Sequence, residues 1–141
     1  SKQLSHNFST GTFSSKIDNP APNEMNSSKL AGKYVRNKAN RYDVMVCNIS
    51  DLKPEKFVKG SNQFFIDIYT KAPPGTEILV QLEDNNLAKG NNYPKGRHSR
   101  FHTFTIKQNE WHRLEFTLQN QPDNYYIAHP SFSFAGVSAQ A

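Results

Sequence analysis

Between residues 63 and 83 apolar and polar side chains alternate twice, on either side of a Pro73, Pro74, Gly75 turn, and a helix would scatter residues of that period round every face. In QFFIDIYT, Phe64, Ile66 and Ile68 fall on one face and Phe65, Asp67 and Tyr69 on the other. In TEILVQLE, Ile78, Val80 and Leu82 oppose Leu79, Gln81 and Glu83. Pro74 suits the first central position of a tight turn and Gly75 supplies positive φ at the second, so the two runs read as arms of a hairpin. The same period returns at 41–48, with apolar residues on both faces, and at 101–107, where Phe101, Thr103 and Thr105 alternate with His102, Phe104 and Ile106. It returns again at 111–118, where Leu114, Phe116 and Leu118 oppose Arg113, Glu115 and Thr117.

The segments between these runs are short. Residues 1–18 read as one or two edge strands, 18–28 as a loop stiffened by Pro20 and Pro22, and 33–36 as a strand preceded by Gly32, which breaks a helix starting at Ser27 or Ser28. Residues 49–60 are a charged connection. Residues 125–128 and 131–135 are read as closing strands, and 136–141, which lacks core formers, is expected to fray. Ten Phe, six Tyr and one Trp supply enough strand-forming bulk for a folded core. The pattern predicts one all-β domain over 1–141, an antiparallel β-sandwich of jelly-roll type.

Residues 91–101, NNYPKGRHSRF, break the alternation. Pro94 removes a ladder donor, Gly96 weakens pairing, and Arg97, His98 and Arg100 cannot all be buried unpaired. The stretch is therefore expected to be a loop that displays basic donors beside one aromatic plate, Tyr93. Two uses of it stand open: Tyr93 and the arginines face a ligand, or they brace the loop.

Function classes narrow by chemistry. The single cysteine, Cys47, lies within a strand run, and neither a G-x-S-x-G elbow nor a phosphate-cradling glycine loop occurs, which leaves nucleophilic catalysis without a candidate. One cysteine also forbids an intrachain disulfide or a cysteine-based zinc site. Asp67, Glu83 and Glu115 could pair as glycosidase carboxylates, but the simpler reading is of solvated or hydrogen-bonded face residues. His98, Tyr93 and Arg97 are the residue types of a uronate-cleaving lyase, gathered on one loop instead of a cleft. Trp111 reads as core before it reads as a sugar platform. The net charge of +5 favours anionic partners, while the basic residues of 29–41 read as a solvated strand face and not as a nucleic-acid patch. No apolar run is long enough to span a bilayer, and neither a membrane nor a nucleic acid is expected as partner.

Five motifs in order carry a resemblance: NPAPNEMNSSKLAGKYVRN (19–37), YDVMV (42–46), FFIDIYTKAPPGTEILVQLED (64–84), NYPKGRHSRF (92–101) and NEWHRLEF (109–116). Together they resemble the non-catalytic, galactose-binding-like carbohydrate-binding modules appended to secreted polysaccharide-degrading enzymes of bacteria, over about residues 17–123. The resemblance implies a secreted or cell-surface module with no enzymatic activity of its own, covalently linked to a glycoside hydrolase or lyase that it holds on a polysaccharide. No cofactor is required on this reading, and a structural calcium ion is admitted. The expected site is Tyr93 stacking on a sugar ring, with Arg97, His98 and Arg100 as donors and Tyr69, Gln81 and Glu83 lining an adjoining sheet face. The charge tilts the ligand toward a sulfated or uronic algal-type glycan. The alternatives are a neutral β-glucan-binding module, a small jelly-roll lyase and a protein-binding adhesin-like sandwich.

Overall fold

The computed structural model describes residues 4–49, 65–84, 86–120 and 133–140. Among them are ten strands and no helix: β1 (Leu4–Ser9), β2 (Thr12–Asp18), β3 (Leu30–Val35), β4 (Met45–Ile49), β5 (Phe65–Ile68), β6 (Glu77–Glu83), β7 (Arg97–Phe104), β8 (His112–Glu115), β9 (Thr117–Asn120) and β10 (Ser133–Gln140). All recorded pairings are antiparallel. A six-stranded sheet runs β1-β4-β10-β6-β7-β9, beside two ribbons, β2-β3 and β5-β8. The all-β, antiparallel expectation holds.

The core forms where the sheet meets the β5-β8 ribbon. Cys47 of β4, Ile78, Val80 and Leu82 of β6 and Phe101 of β7 pack with Leu114 of β8 and with Phe116, while Ile66 and Ile68 of β5 close against them. The alternation in 76–83 is realised residue for residue, with Val80 and Leu82 at 0% exposure. Each such side chain contributes about 2–3 kcal/mol by burial.

Four expectations change. The Pro74-Gly75 turn exists, with Gly75 at φ 88° and Thr76 N donating to Pro73 O (3.2 Å), yet it does not close a hairpin. It turns the chain from the ribbon, where β5 pairs with β8, to the sheet, where β6 pairs with β7 and β10. Thr105 fastens the corner by donating to Pro73 O (3.0 Å) and exchanging backbone bonds with Gly75 and Thr76. The run 111–118 is likewise two strands, since β8 joins the ribbon and β9 the sheet, with the buried Phe116 at the crossing. Residues 136–140 do not fray at an edge but complete β10 between β4 and β6. A strand there is held by backbone partners on both sides, and large side chains are not required for that. Finally, residues 97–101 belong to β7 and not to a display loop.

Smaller shifts follow local chemistry. β3 begins at Leu30, earlier than the expected 33, and β4 at Met45, later than the expected 41, because Asp43 is drawn inward by side-chain partners instead. The expected edge strands within 1–18 and the loop over 18–28 are present. The connection at 50–60, Phe64 and the closing strand at 125–128 lie outside the described residues.

Two buried polar knots tie the periphery to this frame. Asp43, 1% exposed, accepts from Thr10 Oγ1 (2.7 Å) and from the Tyr34 hydroxyl, which also accepts from Gly11 N (3.0 Å). That knot clasps the β2-β3 ribbon to the sheet. Burial pushes the Asp43 carboxyl up, but bonds from Tyr34, Thr10 and the Asn37 backbone, with the Arg36 charge, outweigh it and hold the group below its ordinary range. At the other knot Trp111 Nε1 donates to buried Asn19 Oδ1 (3.0 Å), whose amide donates to Ser28 O (2.8 Å) and Asn26 O (3.2 Å) and so gathers the 19–28 loop.

Candidate functional site

Because Ile78, Val80 and Leu82 point into the core, the alternation sends Glu77, Leu79, Gln81 and Glu83 to the outer face of the sheet. Across from them the register sets Glu77 against Phe104, Leu79 against His102, Gln81 against Arg100 and Glu83 against Arg97. A bulge between Gln81 and Glu83 lets two residues of β6 span three of β7, which brings Arg97 and Arg100 onto one face despite their odd spacing.

The loop between β6 and β7 then folds Tyr93 over this face. Asp84 N donates to Gly96 O (2.8 Å), Asp84 O accepts from Ala88 N (2.8 Å), and Asn92 Nδ2 donates to Leu87 O (2.7 Å). Gly96, at φ 80°, permits this closure: a Cβ there would sit 2.4 Å from Ala88 N. Tyr93 is 54% exposed, with the Arg97 and Arg100 guanidinium carbons 5.9 and 5.7 Å from its ring centroid. Arg100 Nη2 donates to the Tyr93 hydroxyl (2.9 Å).

The two arginines do different things. Arg97 Nη1 donates to Asn92 Oδ1 (2.6 Å) and Lys95 O (2.9 Å), Nη2 donates to Lys89 O (2.6 Å), and Nε lies 3.5 Å from Glu83 Oε1. All three of its nitrogens are engaged in holding the loop, so bracing is the use the fold makes of it. Burial pushes the Glu83 carboxyl up, with the Arg97 charge and hydrogen bond opposing. Among the described residues the side-chain hydrogen bond of Arg100 goes to Tyr93, and opposite it the Gln81 Nε2 is buried without a hydrogen-bond partner.

Further along the face His102 Nδ1 lies 3.2 Å from Glu77 Oε2, and the imidazole meets Phe104 edge-on with centroids 5.5 Å apart. Glu77, His102 and Phe104 were not among the expected site residues. The alternation of 101–107 carried the signal, since it sets His102 and Phe104 opposite Phe101.

Of the expected residues the fold therefore brings together Tyr93, Arg97, Arg100, Gln81 and Glu83. Tyr69 is elsewhere, just past β5 with its ring 5.8 Å from that of Trp111. His98 sits within β7, and its side chain lies outside the described residues. Asp67 is bound by both arms of Arg113 (2.8 and 3.0 Å), whose hydrogen bond and charge hold its carboxyl low, and Glu115 is exposed. The expected carboxylates are thus divided between the ribbon and the sheet. Trp111 is buried and serves the Asn19 knot, not a sugar. Burial raises the Cys47 thiol, which makes it a poor nucleophile. Among the described residues no three His, Cys, Asp or Glu side chains gather as a metal site. No family model, curated protein or solved structure matches this chain significantly.

Proposed function

We propose that this chain is a non-catalytic polysaccharide-binding module that holds a covalently linked, secreted bacterial glycoside hydrolase or lyase on its substrate. The observation that carries the reading is the Tyr93 ring, 54% exposed, with the Arg97 and Arg100 guanidinium groups 5.9 and 5.7 Å from its centroid. An aromatic plate whose position is fixed beforehand stacks on a pyranose at low entropic cost, and neighbouring amide and guanidinium donors orient the hydroxyls. Tethering then raises the local concentration of the linked enzyme without chemistry in this domain. The excess of five positive charges favours an acidic polymer over a neutral β-glucan.

Native affinity gels cast with a polysaccharide panel test this. Retention of the parent and its loss in Tyr93→Ala, at an unchanged melting temperature, are the expected results. A parent that migrates freely through every polymer refutes the reading, and capture of a protein ligand beside an empty glycan array turns it to an adhesin-like sandwich.

A lyase reading has one observation in its favour: Tyr93, Arg100 and His102 gather on a sheet face and not along a single loop. A guanidinium could neutralise a uronate while a phenol or imidazole removes the adjacent proton. Unsaturated-product absorbance on uronate polymers would establish it, and a flat trace would dismiss it.

A further inference from the structure

We propose that the Arg100 and Gln81 pair is the anion-reading subsite of this face, receiving one carboxylate or sulfate group of an acidic polysaccharide. The inference rests on the polysaccharide reading above and adds which oxyanion receptor makes it selective.

The charges along the face settle where an outside anion fits. β6 presents a carboxylate at each end of its outer row, and each has a partner on β7: Glu83 the Arg97 guanidinium (3.5 Å), and Glu77 the His102 imidazole at hydrogen-bond distance (3.2 Å). Between them the register sets Leu79 against His102 and Gln81 against Arg100, so Arg100 stands opposite an amide where Arg97, further along β7, stands opposite an acid. Arg100 is thus the arginine of this row that faces no carboxylate among the described residues. Arg97 cannot substitute for it, since its donors are taken by Asn92, Lys95, Lys89 and Glu83.

Two further features fit an arriving oxyanion. The Tyr93 hydroxyl holds Arg100 by one nitrogen, Nη2, which orients the fork and leaves donors for a bidentate contact. Gln81 Nε2 is a buried donor with no acceptor, an arrangement native proteins seldom retain without use. An anionic oxygen seated on Arg100 would supply that acceptor with a small turn of the amide. Tyr93, alongside, would stack on the sugar ring that carries the anion, so charge and plate read one residue of the polymer together.

Gln81→Glu tests the idea with almost no change of shape, because it places a carboxylate of the protein's own opposite Arg100. The whole chain, Gln81→Glu and Arg100→Gln are run in affinity gels containing a polyuronate, a sulfated galactan or a neutral β-glucan, at low and high salt, with melting temperatures taken alongside. The ratio of acidic to neutral retention is expected to fall about tenfold or more in both variants, as for loss of a charged hydrogen bond. The acidic polymer that the parent prefers identifies the oxyanion. Should Gln81→Glu fail to fold, Arg100→Gln carries the measurement. Acidic retention equal to the parent's in a folded variant overturns the subsite, as does a parent held by the neutral glucan alone, and in both cases polysaccharide binding itself stands. A parent held by no polymer overturns both.

Discussion

Removing Arg97 should damage the loop before it damages any ligand contact. Its guanidinium donates three bonds of 2.6–2.9 Å to Asn92, Lys95 and Lys89 and sits 3.5 Å from Glu83, with only 12% of its side chain exposed. A charged hydrogen bond contributes about 1.5–3 kcal/mol when its partner is left dry, and less where water can replace the donor. Lys89 and Lys95 lie at the surface, so their carbonyls rehydrate, whereas Glu83 keeps a largely covered carboxyl, 21% exposed, without its counter-charge. The sum for Arg97→Ala is about 2–4 kcal/mol. At about 3 °C per kcal/mol for a domain of this size, the melting temperature falls by about 6–12 °C. Arg97→Lys should recover less than half of that, because an ammonium cannot bond three oxygens in a fork. Thermal denaturation followed by circular dichroism, with amide exchange across 84–96, measures both effects. An Arg97→Ala protein that melts within about 2 °C of the parent, with unaltered loop exchange, would refute the bracing role.

Three further outcomes are expected. Gly96→Ala, which forces a Cβ to 2.4 Å from Ala88 N at φ 80°, should cost about 2 kcal/mol or more and weaken glycan retention as well, by displacing Tyr93; unchanged thermal melts would count against the loop geometry. Asn19→Ala should lose about 2–3 kcal/mol and red-shift Trp111 fluorescence, since that amide serves the indole and the 19–28 loop together. Stability should also depend on pH in two directions. Asp43 and Asp67 have carboxyls held below the ordinary 3.8, so their contribution is complete above that value and is lost as pH falls through the lower folded values. Glu83 has its carboxyl raised above 4.5, so its folded form takes up a proton first and stability rises as pH falls through its folded value. Melting temperature against pH should therefore peak in mild acid, with Asp43→Asn flattening the acid limb and Glu83→Gln the neutral one.

Much of the fold could be read directly from alternation. The inward set Ile78, Val80, Leu82 and the outward set Glu77, Gln81, Glu83 needed only the two-residue period, because the pleat assigns faces whatever the partner strand is. Partners were another matter. A Pro-Pro-Gly turn is compatible with a hairpin or with a corner between layers, and only the burial of Ile66 and Ile68 against Leu114, opposite β6, made it a corner. The continuous run at 111–118 concealed a change of sheet at Phe116 for the same reason. The tail was misjudged from its small side chains, when backbone pairing on both edges holds β10.

The same division runs through the candidate site. Sequence alone determined that the chain is all-β, that Tyr93 stands beside a basic cluster, and which residues of β6 face outward, since each of these follows from local chemistry and the pleat. Only the tertiary structure decided that Arg97 braces the loop while Arg100 donates to the Tyr93 hydroxyl, that Tyr69 and Trp111 stand apart, and that His102 and Glu77 share the face. The physical reason is that a side chain's role depends on who stands opposite, and cross-strand partners are set by register and bulges that couple residues distant along the chain.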